Sequence, residues 1–243
     1  MDTPVKSRKK QHLLGLTLGL ACLMLARLPA LLLDLPLSGT RPSSSWLWLS
    51  ALAALLQLCI LLVALPRLLP GRPLLRRFPT ARQILAAAVV WLFFFIVTML
   101  LQLIQQWLAA EGLAGHLPSE GGLSPLLPGA AYSLPWLAAA LVFALSIGYQ
   151  EELLYRFWLP RFFSPWTAGA AIDGNDEFMT SGLPGILLAA LLFAFGHLYQ
   201  GWTAFAGALL LALGLSFALR RGISLHSLAL GHAAWNLFVL LNR

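Results

Sequence analysis

Long apolar runs dominate the sequence and limit the folds that it can adopt. A helix needs about 20 mostly apolar residues to cross the hydrocarbon core of a bilayer, and about seven runs meet that length. The runs are His12–Leu33, Trp46–Pro66, Ile84–Leu108, Tyr132–Pro160, Gly182–Tyr199, Trp202–Leu219 and Ile223–Asn242. None of them alternates with the period of two residues that a membrane β-strand shows. The sequence therefore predicts an all-α, polytopic membrane bundle of about seven transmembrane helices.

The composition excludes a soluble domain. Hydrophobic residues make up 59% of the chain and charged residues only 10%, whereas soluble domains carry roughly 25% charged residues. The net charge is +7, but the basic residues fall mostly between the apolar runs, where Lys and Arg set the orientation of membrane helices. We therefore predict an integral membrane protein with the lipid bilayer as its partner, and no nucleic-acid partner.

The positions of the basic residues predict how the helices are oriented. The segment Lys6–Lys10 precedes the first run and places the N-terminus in the cytoplasm. Further basic residues follow the second, fourth and sixth runs, at Arg67–Arg82, Arg161 and Arg220–Arg221. The basic N-terminus followed by an apolar stretch also resembles a signal peptide. Because more runs follow, we interpret it as an uncleaved first helix.

Polar residues interrupt the late apolar runs in three short segments. The first is "EELLYR", Glu151–Arg156. The second, "FAFGHLYQG", contains His197, and the third, "HSLALGHAAWN", contains His232 and Asn236. An ionisable group inside a membrane is unfavourable by about 2.5 to 3.5 kcal/mol on insertion scales, so such groups are functional candidates by default.

Helical spacing predicts which of these side chains share a face. Glu152 and Arg156 are four residues apart and can pair on one face of a helix. Glu151 points roughly 100° away from Glu152 and has no partner in its own helix. We therefore expect a neighbouring helix to supply the group that Glu151 contacts. His232 and Asn236 are also four residues apart and lie on one face.

These residue types favour a hydrolytic site, although two other interpretations stay open. A carboxylate and an imidazole that meet at one water form a general-base unit, and a His and an Asn on one face could hold an oxyanion. Two His and one carboxylate are also a known set of zinc ligands. A packing role remains the third interpretation, because membrane His, Asn and Glu–Arg pairs commonly link helices. Neither Gly-x-Ser-x-Gly nor His-Glu-x-x-His occurs in the chain.

The three segments resemble the motifs of the CPBP family of intramembrane proteases. "EELLYR" is similar to Glu-Glu-x-x-x-Arg, "FAFGH" to Phe-x-x-x-His, and "HAAWN" to His-x-x-x-Asn, in the family's order. That family includes the Ras-converting type of CAAX prenyl endopeptidase and bacterial proteins linked to bacteriocin processing and self-immunity. The resemblance covers roughly residues 131–243. It implies a four-helix catalytic core there, preceded by three generic membrane helices in residues 1–130.

The resemblance also implies the catalytic roles. Glu151 and His197 would activate the attacking water, and His232 and Asn236 would stabilise the oxyanion. If zinc is bound instead, Glu151, His197 and His232 would be its ligands. A metal-free mechanism is the first choice, because Asn is a poor zinc ligand and a good oxyanion donor. No cofactor is then required.

Three further residues would support the site, according to the same resemblance. Glu152 and Arg156 would pair with each other, and Phe193 would pack behind the catalytic groups. One difficulty is depth, because straight antiparallel helices would leave Glu151 and His197 about 10 Å apart in height. We expect either a fourth helix that runs past the membrane face or a "HLYQGW" turn that dips inward. We also expect a water-filled cavity that opens toward the cytoplasm.

The predicted function is hydrolysis of a peptide bond in a membrane-associated protein or peptide, such as a C-terminal tail, a leader or a sorting signal. The alternative is a non-catalytic membrane scaffold or bacteriocin immunity protein that retains the motifs. A transporter with a Glu/His proton relay is disfavoured, because the sequence lacks matched broken helices in two halves. The short length favours a prokaryotic protein of the inner (plasma) membrane.

Overall fold

Seven helices make up the part of the chain that the computed structural model describes, which is residues 4–25, 42–68, 79–111, 132–163 and 182–242. They are α1 Pro4–Leu25, α2 Ser44–Leu68, α3 Ala81–Ala110, α4 Leu134–Phe163, α5 Leu183–His197, α6 Trp202–Arg220 and α7 Leu225–Leu241. Within those ranges there is no β-strand. The predicted all-α class is confirmed.

Five of the helices are long and apolar enough to cross a membrane. These spans lie in α2 to α6, at Ser44–Ala64, Ala81–Ala110, Leu134–Phe163, Leu183–Gln200 and Trp202–Arg220. The apolar parts of α1 and α7 are shorter, at Lys10–Leu25 and Leu225–Leu241. The predicted first run continues to Leu33, but residues 26–33 lie outside the described part. The chain is an integral membrane protein built as a helical bundle.

Polar caps begin several of the helices. At α3, the side chain of Thr80 accepts from the Gln83 backbone N–H and the Gln83 side chain reaches back to the Thr80 backbone, which is a capping box. At α4, the side chain of Ser133 accepts from the Trp136 backbone N–H, and Pro135 occupies the first turn, where a missing N–H costs nothing. Ser224 caps α7. These caps explain why the three helices begin close to the first residues of the predicted apolar runs.

The seventh helix lies between α3 and α4, and two glycines allow close contact on both sides. A Cβ added at Gly148 of α4 would lie 2.7 Å from the Ala229 carbonyl oxygen of α7. A Cβ added at Gly231 of α7 would lie 2.6 Å from the Val90 Cβ of α3. Small residues of this kind let membrane helices pack backbone against backbone. The middle of α7 is therefore held firmly against both neighbours.

The fourth helix changes its hydrogen-bond register within the first polar segment. Residues Leu134–Glu152 are α-helical, Leu153–Trp158 form a π-helix, and Leu159–Phe163 are α-helical again. The N–H of Leu159 donates to the Leu154 carbonyl, five residues back. Pro160 follows directly, and a helical proline lacks an N–H and clashes with the carbonyl four residues before it. A wider turn before Pro160 relieves that clash, so the helix continues without ending. The sequence pattern does not predict this π-helix.

The first helix packs against the π-helix. The indole Nε1 of Trp158 donates to the Gly15 carbonyl oxygen at 2.8 Å. A Cβ added at Gly19 would lie 2.9 Å from a methyl group of Leu159. The six residues of the π-helix are all buried. The N-terminal helix thus covers the segment that carries the first polar motif.

The length and register of α4 remove the expected difference in depth. At 1.5 Å per residue, its 30 residues extend about 45 Å, past a hydrocarbon core of about 30 Å. Helix α5 begins beside the last turn of α4, because a Cβ at Gly185 would lie 2.5 Å from the Pro160 carbonyl oxygen. Further along, the ring centroids of Tyr155 and Phe193 are 5.1 Å apart. In this antiparallel register His197 lies at about the level of Glu152.

Candidate active site

Four ionisable side chains from α4 and α7 form a continuous chain of contacts. The Nε2 atom of His232 lies 3.4 Å from Glu151 Oε2, and its Nδ1 atom lies 2.9 Å from Glu152 Oε1. The other oxygen of Glu152, Oε2, lies 3.4 Å from Arg156 Nε. His232 is therefore the partner that Glu151 lacks in its own helix. We call these four residues the buried cluster.

With both carboxylates ionised and His232 neutral, the buried cluster would carry a net charge of −1. One added proton makes it neutral. Glu152 is paired with Arg156 and accepts a hydrogen bond from Nδ1–H of His232. A neutral imidazole has only one N–H, so Nε2 would then face Glu151 without a proton between them. A proton on His232 or on Glu151 makes this contact attractive. The same proton brings the formal charge of the two carboxylates, the guanidinium and the imidazole to zero, as a buried site requires.

Exposure differs sharply within the buried cluster. The side chains of Glu152, Arg156 and His232 are 0%, 1% and 5% exposed, whereas that of Glu151 is 19% exposed. Glu151 therefore lies at the accessible end of the cluster. Of the four groups, it is the one best placed to contact water or a substrate.

Phe193 of α5 packs against the buried cluster and links it to His197. Its ring centroid is 4.5 Å from that of His197 and 6.3 Å from that of His232. The Arg156 guanidinium lies 4.6 Å above the same ring, in cation–π contact. The described contacts thus join His197 to the cluster through Phe193.

The fifth helix ends at His197. The Nδ1 atom of His197 lies 2.9 Å from the Phe193 carbonyl oxygen. A carbonyl can only accept, so Nδ1 carries a proton, and in the neutral imidazole Nε2 then keeps its lone pair. The chain then makes a short 3₁₀ turn, Leu198–Gln200, and reverses at Gly201, whose φ of 98° favours glycine. His197 therefore presents a basic nitrogen at the end of α5.

The remaining predicted site residue, Asn236, lies one turn after His232 on α7. It is half-buried, and the spacing of four residues places it on the same face as His232. The motif residues of α4, α5 and α7 thus face the same region of the bundle.

Two contacts at the site were not predicted from the sequence. Glu152 was expected to pair with Arg156 alone, but it also bonds His232. Phe94 of α3 was given no role, and its ring centroid lies 4.9 Å from that of His232. Both contacts depend on how helices far apart in the sequence pack together. An aromatic residue inside an apolar run carries no signal that separates it from a lipid-facing one.

The zinc alternative requires three ligands that meet at one point. Glu151 and His232 are close enough to share an ion, whereas the contacts of the described residues join His197 to the buried cluster through the Phe193 ring. In the described part of the chain, no three His, Cys, Asp or Glu side chains are grouped as a metal site. The described side chains therefore do not form the ligand set of Glu151, His197 and His232.

The helices that carry the site match a known class of membrane proteases. Residues 133–238 match the family model described as type II CAAX prenyl endopeptidase, Rce1-like. The match over these residues agrees with the resemblance to the CAAX (CPBP) protease family that the three motifs predicted. No curated protein and no solved structure gives a significant match. Members of that family are proteases that act on membrane-associated proteins within a lipid bilayer.

Proposed function

We propose that the protein is an intramembrane endopeptidase in which the buried cluster hydrolyses a peptide bond of a membrane-associated protein or peptide. The observation that carries the proposal is the contact of 3.4 Å between Glu151, the accessible end of the cluster, and His232. It pairs a carboxylate with an imidazole on a second helix. Two such groups around one substrate carbonyl are suited to general acid–base catalysis.

In the first step, Glu151 and His197 activate a water molecule. In this proposal the shared proton of the buried cluster lies on His232, so the carboxylate of Glu151 is ionised. It accepts one proton as the water oxygen adds to the scissile carbonyl carbon. The lone pair on Nε2 of His197 orients the same water. The half-buried position of both residues supports this role, because water can reach them while most of their surroundings are apolar.

In the same step, the carbonyl oxygen becomes negative and needs donors. His232 and Asn236 supply them from one face of α7, as an oxyanion site requires. The bond from Nδ1 to Glu152 holds the imidazole with Nε2 directed toward Glu151 and the substrate. The intermediate then collapses, the C–N bond breaks, and Glu151 returns its proton to the leaving amine.

The proposed mechanism assigns no role to a metal ion. An Asn amide is an unusual zinc ligand but an effective donor to an oxyanion. The bond of Nδ1 of His197 to a backbone carbonyl is also compatible with a metal-free base. As part of the same proposal, the substrate is a C-terminal tail, a leader or a sorting signal, and the protein lies in a prokaryotic inner (plasma) membrane.

Replacement of Glu151 by Gln tests the proposed function. The change keeps the size of the side chain and removes its ability to take a proton, so the cleavage rate should fall by about 10²- to 10⁴-fold. The matched control is Glu111→Gln, the same chemical change at an exposed position after α3. Fragments of membrane proteins are compared by mass spectrometry in cells that produce equal amounts of wild type and each variant.

The expected result is that fragments present with wild type and Glu111→Gln disappear with Glu151→Gln. An unchanged set of fragments in all three strains contradicts the proposal. It would favour the non-catalytic scaffold or immunity function instead.

A further inference from the structure

The third helix contributes a side chain to the site, although it lies outside the matched domain of residues 133–238. Phe94 of α3 is 3% exposed, and its ring lies at an interplanar angle of 33° to the ring of His232, with centroids 4.9 Å apart. The edge of Phe193 approaches the same imidazole from another direction, at 78°. His232 is therefore enclosed by two aromatic rings from two different helices.

The backbone around Phe94 fixes its position relative to His232. Val90, one turn before Phe94 on α3, touches the backbone at Gly231, the residue that precedes His232. The indole of Trp235, three residues after His232 on α7, also packs on the Phe94 ring, with centroids 6.0 Å apart. Neither helix can shift at this point without a clash, so the Phe94–His232 contact is set by tight packing.

A histidine side chain has two rotatable torsions, and the two ring nitrogens of His232 contact Glu151 and Glu152. The hydrogen bond to Glu152 holds Nδ1, but the plane of the ring can still rotate about the axis of this hydrogen bond. A ring packed beside one face of the imidazole restricts this rotation and keeps Nε2 in line with Glu151. The Phe94 ring lies there at a tilt of 33°, whereas Phe193 approaches with its edge.

We propose that Phe94 is a positioning residue, which fixes the ring plane of His232 so that Nε2 faces Glu151. The catalytic consequence rests on the proposed function, whereas the structural consequence does not. Helix α3 is then part of the active site. The two consequences are tested by separate measurements on the full-length protein.

The kinetic test uses three variants of α3. Phe94→Leu removes the ring and keeps an apolar side chain, and Phe94→Tyr keeps the ring. Phe95→Leu is the matched control, because the Phe95 ring packs on Trp91 and Phe238 and not on the site. We expect Phe94→Leu to lower kcat by about 10- to 100-fold, the effect of a misaligned catalytic group. KM should change little, and Phe94→Tyr and Phe95→Leu should stay close to wild type.

An equal loss in Phe94→Leu and Phe95→Leu would overturn the proposal, since both would then act through packing alone. A rise in KM at constant kcat would also overturn it. Melting temperatures show whether each variant is folded. If Phe94→Leu does not fold, Phe94→Met, which also lacks a ring and fills more of the space, takes its place in the same comparison.

A nuclear magnetic resonance measurement tests the position of the ring without any catalysis. The ring centroids of His232 and Phe94 are 4.9 Å apart, so the ring current of Phe94 should shift the signals of the carbon-bound ring protons of His232. The chain has five histidines, and His232→Gln identifies the relevant signals in micelles. The shift should persist in Phe94→Tyr and Phe95→Leu and disappear in Phe94→Leu. Signals that do not move in Phe94→Leu would contradict the proposal, even if the protein proves not to be a protease.

Discussion

Glu152 is fully buried, and its two oxygens contact residues of two different helices. Arg156 lies on one side and His232 on the other. A carboxylate inside a membrane bundle is stable only when it is paired, because desolvation opposes its charge. The Nη atoms of Arg156 are also buried and have no hydrogen-bond partner among the described residues. The pair therefore depends on charge attraction and on the Phe193 ring rather than on a full set of hydrogen bonds.

The Glu152–Arg156 pair leads to a prediction about stability. Arg156→Met leaves Glu152 buried without its cation, and this should lower the free energy of unfolding by about 3 to 5 kcal/mol. Adding Glu152→Gln to that variant should recover part of the loss, because no unpaired charge then remains. The measurement is reversible unfolding in mixed micelles. Arg221→Met is the control, since Arg221 is exposed on the ring of Phe217. An effect of Arg156→Met no larger than that of the control would contradict the pairing.

At the residue level, the sequence could predict only the contacts made within one helix. The spacing of four residues predicted that Glu152 and Arg156 pair, and the structure shows this contact. The bond between Glu152 and His232 depends on the register between α4 and α7, and no spacing encodes that register. The proximity of Phe94 to His232 was hidden for the same reason. The predicted roles of Glu151, His197, His232 and Asn236 stay predictions.

At the level of the elements, α7 is the helix on which the site depends most. It carries His232 and Asn236 and packs on α3 at Gly231 and on α4 at Gly148. The spacing between Glu151 and His232 is therefore set by two backbone contacts. Any side chain larger than hydrogen at these glycines would push α7 away from a neighbour.

Gly231→Ala should disturb both the fold and the site. The new methyl group would meet Val90 Cβ at 2.6 Å and the Ala87 carbonyl oxygen at 2.7 Å. Overpacking of this kind costs about 1 to 3 kcal/mol of stability, and the shift of α7 should also lower the cleavage rate. Gly207→Ala is the matched control, because its methyl group would meet only a flexible end of Leu101 at 3.0 Å. Unfolding and cleavage are measured on both variants, and equal behaviour of the two would argue against tight packing at Gly231.

The helices themselves were predictable from apolar length and from turn residues, but the π-helix in α4 was not. Its six residues are all buried, so no polar face reveals whether the period is that of an α-helix or a wider one. Pro160 was the one local signal, and a proline is compatible with a kink or a helix end as well. The continuation through Pro160 is decided by packing against Gly15 of α1 and Gly185 of α5.

At the level of the whole molecule, the N-terminal helices do more than anchor the chain. Helix α1 bonds the π-helix through Trp158, α2 packs along α4, and α3 packs on α7. The first three helices thus pack against α4 and α7, two of the three motif helices. The division into three generic membrane helices (residues 1–130) and a catalytic core (residues 131–243) stays a prediction. The cytoplasmic N-terminus and the water-filled cavity also stay predictions.

A double-mutant cycle on Glu151 and His232 tests most directly whether the buried cluster acts as one catalytic unit. Cleavage of a membrane-associated substrate by the purified protein in proteoliposomes gives kcat/KM for wild type, Glu151→Gln, His232→Gln and the double variant. Each single change should lower kcat/KM by about 10²- to 10⁴-fold. The double variant should be no worse than the weaker single variant, because residues that act together lose their effects together. Losses that multiply in the double variant, or full activity in either single one, would contradict a shared role for the two residues.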